Sequence, residues 1–206
     1  MTGAQLALLW VGWVLAGGSP GPATLAIAGT SMQLGRRMGV VMALGILAGS
    51  ACWGIAAALG MGALMQANSW VFAGLRYVGA AYLLFLAIKS LRSAMLKKST
   101  VMEPKSPKTA HRVFWKGALI HLTNPKAIFA WGAIYAIVVP AEAGWADLFW
   151  MFGFLFSGSI LVFVGYAFLF STAGLVAAYQ KARRWFELVF AVVFGTASLK
   201  VLTVHL

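Results

Sequence analysis

One apolar segment, residues 113–139, is long enough to cross a lipid bilayer, yet its centre carries the polar sequence HLTNPK at residues 121–126. About 20 apolar residues suffice to span the hydrocarbon core. A lysine at mid-span is costly, so Lys126 indicates a functional site. Pro125 has no N–H group and clashes with the preceding turn, which predicts a break in the helix. Backbone groups freed by such a break need protein or a water-filled cavity around them.

The composition of the whole chain is that of a membrane protein. Of its 206 residues, 62% are hydrophobic and 10% are charged, whereas soluble domains are about half apolar and about a quarter charged. The net charge of +12 does not indicate nucleic-acid binding, because the basic residues cluster in short segments between apolar stretches. The single cysteine, Cys52, cannot form an internal disulfide. We expect an all-α membrane protein in contact with lipid, with no nucleic-acid partner, metal or cofactor.

Six apolar stretches predict six transmembrane helices in a single polytopic membrane domain over residues 1–206. The segments after the first, third and fifth stretches are basic, whereas those after the second and fourth are neutral or acidic. Because cytoplasmic loops are enriched in Lys and Arg, this alternation predicts that both termini are periplasmic or extracellular. The six stretches cover residues 4–27, 39–63, 70–88, 113–139, 148–170 and 186–204.

The polar segment 92–112 is predicted to be a cytoplasmic linker between two halves, residues 1–91 and 113–206. The halves begin on opposite sides of the membrane, so related halves would form an inverted repeat of three helices each. Each half has a proline break in its first span, at residues 19–22 and at Pro125. Interrupted spans at corresponding positions of two halves indicate the binding site of a carrier.

The two breaks provide the candidate substrate-binding residues. Lys126 could attract the carboxylate of a substrate, and the alternative is a structural cation bonded to carbonyls freed by the break. Helix N-termini at the breaks carry partial positive charge and exposed amides, which also suit a carboxylate. The alternative for the first break is a plain kink. The predicted substrate-binding residues are Ser19, Pro20, Gly21, Pro22, Thr123, Asn124, Pro125 and Lys126.

Further residues are candidates for accessory roles. His121 could relay protons, because imidazole titrates near neutral pH; the alternative is a hydrogen-bonded packing residue. Arg76 is a candidate outer gate, and the alternative is a side chain that snorkels to the interface. Gly45 and Gly49 form a small-xxx-small pair, which favours close helix approach either within one chain or in a homodimer.

A set of short motifs extends along nearly the whole chain: PGP at 20–22, GRRMG at 35–39, LGI at 44–46, GAAYL at 79–83, FWKG at 114–117 and TNPKA at 123–127. The ordered set resembles the LysE/RhtB family of amino-acid exporters. The resemblance implies a six-span carrier of the bacterial inner membrane. It also implies export of amino acids or derivatives, driven by the proton gradient.

Ser50 departs from the pattern of that family. Many relatives carry an acidic residue at this position, so the resemblance implies a coupling position that lacks its carboxylate here. Lys126 also has no matching carboxylate within the predicted spans, which favours a neutral or apolar amino acid over lysine or arginine. Two alternatives are a membrane enzyme, for which the sequence offers no convergent catalytic groups, and a passive channel or structural membrane subunit.

Overall fold

The computed structural model of the protein describes residues 1–67, 109–140 and 142–172, with separate positions between 77 and 95 and between 174 and 199. In the first range, side chains are described as far as residue 60. All regular structure among these residues is helical, as the composition predicts. The candidate gate Arg76 and most of the linker 92–112 lie outside the described residues.

The first break separates α1 (Gly3–Gly18) from α2 (Pro22–Ala67). Helix α1 ends because Ser19 is extended, with φ −66° and ψ 142°, a conformation that the following proline favours. Pro22 then occupies the first position of α2, where its missing N–H group removes no helical hydrogen bond. The helix therefore breaks where the sequence predicts.

Helix α2 bends sharply at Gly35, which has φ 80° and ψ 173°. Glycine reaches this positive φ without the steric cost of a side chain. A Cβ atom on Gly39 would clash with the Ser31 hydroxyl, although eight residues of straight helix would separate the two positions by about 12 Å. The two arms, residues 22–34 and 36–67, therefore fold back on each other. The predicted loop between the first two spans is a turn at a single glycine.

The second break separates α3 (Ala110–Leu122) from α4 (Pro125–Val138). Thr123 leaves the helical conformation with φ −92° and ψ 5°. The Asn124 side chain caps α4 by accepting a backbone N–H group two residues later, at 3.1 Å. Pro125 takes the first helical position. Both breaks thus end one helix and begin the next with proline.

Glycines allow α2 and α3 to approach closely. A Cβ on Gly45 would clash with the carbonyl oxygen of Phe114, and one on Gly117 would lie 2.5 Å from the carbonyl oxygen of Met42. A Cβ on Gly49 would lie 2.9 Å from the Cβ of His121. The small-xxx-small pair is therefore used within the chain, where it positions α3 and the break that follows it.

Helix α5 (Trp145–Leu169) packs against α1 and α2. It contributes to two buried apolar clusters at different levels along its length. Leu148 and Leu155 belong to the first cluster, which contains Trp13 and Trp131, and Val162 belongs to the second. The candidate site takes its walls from both clusters.

Two described helical segments contain an apolar stretch long enough to cross a membrane: Pro22–Gly60, which includes the bend at Gly35, and Trp145–Leu169. The shorter apolar helices α1 and α4 each belong to a broken pair. Large apolar side chains such as Leu8, Leu119 and Phe149 are exposed on the surface. An extensive exposed apolar surface is typical of contact with lipid or another apolar partner.

One contact connects the bend in α2 to the C-terminal end of α5. Arg36, which follows the bend in α2, donates through Nε to Ser171 Oγ at 3.2 Å. Its guanidinium carbon lies 5.0 Å from the ring centroid of Phe168. The bend in α2 and the C-terminal end of α5 therefore lie at the same end of the bundle.

Candidate functional site

A cavity of about 370 Å³ lies where the two helix breaks meet. Its walls are mainly apolar and aromatic, and they include Leu9, Trp13, Trp131 and Phe163. Polar side chains line the remainder, and most of them come from the breaks or from the residues next to them. The polar lining residues are Ser19, Thr24, Ser50, His121, Asn124, Lys126, Ser159 and Thr196.

Lys126 joins the two breaks. Its ammonium group, at the start of α4, donates to the carbonyl oxygen of Ser19 at 3.1 Å and to the Ser19 hydroxyl. The Ser19 hydroxyl in turn donates to the carbonyl oxygen of Ala16 at 2.9 Å. A cation from the second break is thus stabilised by a carbonyl that the first break frees. This arrangement places a positive charge at the wall of the cavity.

Neighbouring side chains satisfy the other backbone groups of the first break. The Thr24 hydroxyl accepts the N–H group of Gly21 at 2.9 Å and lies 3.2 Å from the Gly21 carbonyl oxygen. The hydroxyl of Tyr166, from α5, donates to the carbonyl oxygen of Gly18. These bonds pair backbone polar groups of the break. Unpaired polar groups in apolar surroundings would be costly.

At the second break, the freed carbonyl of Leu122 accepts a hydrogen bond from the indole of Trp53 at 3.2 Å. In a continuous helix this carbonyl would bond the N–H group of Lys126. That N–H group instead donates to the Asn124 side chain. The second break is therefore capped by its own residues and by one side chain of α2.

Two tryptophans form one wall of the cavity and are fixed by serines. Trp131 donates through its indole N–H to Ser50 Oγ at 3.1 Å, and Trp13 donates to Ser159 Oγ at 3.0 Å. The rings of Trp13 and Trp131 meet edge to face, with centroids 4.6 Å apart. Ser50 is thus a buried acceptor that orients Trp131 at the cavity wall.

His121 is buried at the end of α3 and lines the same cavity. Its ring meets that of Phe163 edge to face, with centroids 5.5 Å apart. Its Nδ1 atom has no hydrogen-bond partner among the described residues. His121 is therefore a packing residue in its ring contact, but its hydrogen bonding is incomplete.

The described carboxylates lie away from the cavity. Asp147 accepts the backbone N–H group of Gly144 at 3.0 Å and so caps α5, and Glu142 is exposed just before this helix. Among the described residues, no group of three His, Cys, Asp or Glu side chains could hold a metal ion. The described walls of the cavity contain one basic Lys or Arg side chain, that of Lys126, and no carboxylate.

The structure brings most of the predicted site residues together. Lys126, Asn124, Ser19 and Gly21 line the cavity, as do the coupling candidates His121 and Ser50. The other predicted residues that the structure describes are not among those that line it, and Thr123 is exposed with its hydroxyl bonded to the Leu119 carbonyl oxygen at 2.8 Å. The three prolines shape the breaks through the backbone: Pro20, Pro22 and Pro125.

Sequence reasoning missed several lining residues. Thr24 could have been found, because a threonine two residues after Pro22 can bond the amides at a helix start. Ser159 and Phe163 carry no such signal, since they lie within a long apolar stretch of α5. Thr196 lies in the predicted sixth span, far from both breaks in sequence.

Comparison with known proteins identifies the family. The family model described as LysE type translocator matches residues 14–204, nearly the whole chain. The chain belongs to this family. The resemblance seen in the motifs is therefore confirmed, and membership indicates a membrane transport protein rather than an enzyme.

Curated relatives are consistent with this assignment. The chain is 28% identical over 173 residues to the threonine efflux protein of Escherichia coli K12. The aligned region covers 82% of this chain and 83% of the relative. It is 28% identical over 172 residues to the leucine efflux protein of Enterobacter sp. strain 638, with 80% and 77% covered. An uncharacterized membrane protein of Pseudomonas aeruginosa is 38% identical over 113 residues, with 53% and 52% covered. No solved structure matches the chain.

Proposed function

We propose that this chain is a secondary carrier that exports neutral amino acids or their derivatives, with apolar side chains favoured. Relatives named threonine and leucine efflux proteins support the substrate class. The observation that carries the proposal is the position of Lys126. Its ammonium group bridges two helix breaks at the wall of a largely apolar cavity. Such a site combines a cation for a carboxylate with apolar space for a side chain.

In this proposal, the substrate carboxylate binds the Lys126 ammonium group and shares or replaces its contacts with Ser19. The first amides of α2 and α4 add the partial positive charge of two helix N-termini. The substrate side chain lies against Trp13, Trp131 and neighbouring apolar residues. A carboxylate that competes with Ser19 for Lys126 would loosen the connection between the breaks, which gives substrate binding a means of promoting alternating access.

The size and charge of the cavity support the proposed specificity. A volume of about 370 Å³ lies near the lower end of small-molecule sites, roughly 300 to 1,000 Å³, and suits a single amino acid. The described lining offers no carboxylate to pair with a cationic side chain. A lysine or arginine substrate would place a second positive charge beside Lys126, whereas a neutral amino acid would not.

We further propose the six-span topology in a bacterial inner membrane, with periplasmic termini and two inverted halves. The contact between Arg36 and Ser171 supports it, because the predicted cytoplasmic ends of spans one and five then lie together. The matching construction of the two breaks supports the inverted repeat. Export is driven by the proton gradient, with His121 as the titratable candidate at the cavity.

Counterflow in proteoliposomes tests this function. Vesicles loaded with unlabelled leucine, threonine or other neutral amino acids are diluted into the labelled compound, and transient accumulation is measured for wild type, Lys126→Ala and Lys126→Gln. Lys116→Gln, a lysine of α3 outside the cavity lining, is the matched control. Loss of a charge-assisted contact in a dry site weakens binding by roughly 10- to 100-fold.

The expected result is saturable counterflow for wild type and Lys116→Gln, with little or none for the two Lys126 variants at equal insertion. Lys126 variants with wild-type counterflow would exclude this residue from the working site. A passive channel would allow equilibration of the label without transient accumulation, so that result would contradict a carrier.

A further inference from the structure

The imidazole of His121 is a buried group whose hydrogen bonding the protein leaves incomplete. It is 5% exposed, it lines the cavity, and its Nδ1 has no hydrogen-bond partner among the described residues. Buried side-chain nitrogens are normally bonded. Gly49 packs against its Cβ, and the Phe163 ring meets the imidazole edge to face with centroids 5.5 Å apart. The imidazole is therefore a packed group that can still accept a hydrogen bond.

The other polar atoms at this level of the cavity are already bonded to the protein. Ser50 and Ser159 each accept an indole N–H group, at 3.1 and 3.0 Å respectively. Asn124 caps α4 through its side-chain oxygen. No described carboxylate lines the cavity. Among the described polar side chains that line the cavity, His121 is thus the one with a buried nitrogen, Nδ1, that has no hydrogen-bond partner.

An amino acid in the proposed site presents two charged groups. Lys126 matches the carboxylate, but the ammonium group needs an acceptor. We propose that neutral His121 accepts a hydrogen bond from the substrate's amino group through the imidazole nitrogen that carries no hydrogen. This role selects amino acids over the corresponding acids that lack an amino group. It rests on the proposed function, because it assigns a partner within the same site.

The same nitrogen can take up a proton, so proton and substrate compete for it. Protonation turns the accepting nitrogen into a donor and adds a second cation to a wall that already carries Lys126. Lys126 is the charged group that α4 presents to the cavity, whereas α2 and α5 present the uncharged Gly49, Ser50 and Phe163 beside the ring. Protonation of His121 therefore prevents binding of the substrate's ammonium group at this nitrogen, and deprotonation restores that binding.

Competition by a des-amino analogue tests the selectivity. Inhibition of leucine counterflow by leucine and by isocaproate, which is leucine without its amino group, is compared near neutral pH. Wild type should prefer leucine by roughly 10- to 100-fold, and His121→Leu should reduce this preference to about threefold or less. His121→Gln should keep part of the preference, because its amide oxygen still accepts. His111→Gln, an exposed histidine of the same helix bonded to Trp115, is the matched control.

The pH response separates this role from simple packing. As the pH falls from about 8 to about 4, the half-saturating leucine concentration of wild type should rise by about twofold or more, because a growing fraction of the imidazole is protonated. His121→Gln should show no such rise, and this variant decides alone if His121→Leu fails to insert. A wild-type pH response in His121→Gln, or a wild-type preference in His121→Leu, would overturn the proposal while the carrier function stands. Absence of leucine and threonine counterflow in wild type would overturn both.

Discussion

The two helix breaks have the same backbone construction but different roles in the site. Each ends one helix and begins the next with proline, Pro22 in one case and Pro125 in the other. The first break offers backbone carbonyls, which Tyr166 and Lys126 bond from other helices. The second is capped by its own Asn124 and supplies the cation. The indole of Trp53 also bonds the second break from α2, so the difference between the breaks is that the first accepts the cation and the second supplies it.

This difference explains why one lysine can have both roles that the sequence leaves open. Lys126 is a structural cation, since it bonds a freed carbonyl, although that carbonyl belongs to the other break. It also lines the cavity, where a carboxylate could reach it. A structural contact that a substrate can displace connects binding at the cavity to the position of both half-helices.

The largest expected effect concerns the packing of α3 against α2, which positions the second break. Gly45→Ala places a methyl group against the carbonyl oxygen of Phe114 and should push α3 away from α2. We expect a loss of about 3 kcal/mol in the free energy of unfolding, together with loss of counterflow. Denaturation of the detergent-solubilised protein, followed by tryptophan fluorescence, measures it. Gly60→Ala in the same helix, where no described atom lies within 4 Å, is the control and should be neutral or mildly stabilising.

A smaller effect tests whether the first break is held from outside. Tyr166→Phe removes the hydrogen bond to the Gly18 carbonyl and should lower stability by about 1.5 kcal/mol. It should also weaken substrate binding, because residues 18–21 then relax around Lys126. Tyr135→Phe, which removes a bond to the Leu148 carbonyl outside the cavity lining, should cost similar stability and leave binding unchanged. Equal binding in both variants would contradict the division of roles.

The smallest effect concerns the local cap of the second break. Asn124→Ala removes the side-chain acceptor for the Lys126 N–H group at the start of α4 and should cost about 1 kcal/mol of stability. Asn124→Ser, which retains a capping oxygen, should recover most of this loss in the same denaturation experiment. If alanine and serine behave alike, the second break is not capped by its own side chain.

The breaks themselves could be predicted from sequence because their cause is local. A proline lacks its N–H group wherever it stands, and Asn124 before Pro125 matches the residue preferences at a helix start. The bend at Gly35 follows the same logic in part. The sequence placed a loop there, but only the structure shows that a single positive φ reverses the chain.

The partners across the cavity could not be predicted, because they depend on how each helix is rotated about its axis. Successive residues of a helix differ in direction by about 100°, so neighbours in sequence face different surroundings. Asn124 lines the cavity whereas the adjacent Thr123 is exposed. Ser19 lies 107 residues before Lys126, and no periodicity relates the two. Ser159 likewise reaches the cavity from a helix that is apolar almost throughout.

Chemical restoration of the charge at position 126 tests the central claim most directly. In a Cys52→Ser background, Lys126→Cys is alkylated either with bromoethylamine, which creates a lysine analogue, or with iodoacetamide, which adds a neutral group. Aminoethylation should restore counterflow of leucine or threonine, the neutral adduct should not, and the transported amino acid should protect the thiol from either reagent. Equal activity of the two adducts, with alkylation indifferent to substrate, would contradict a working cation at the junction of the two breaks.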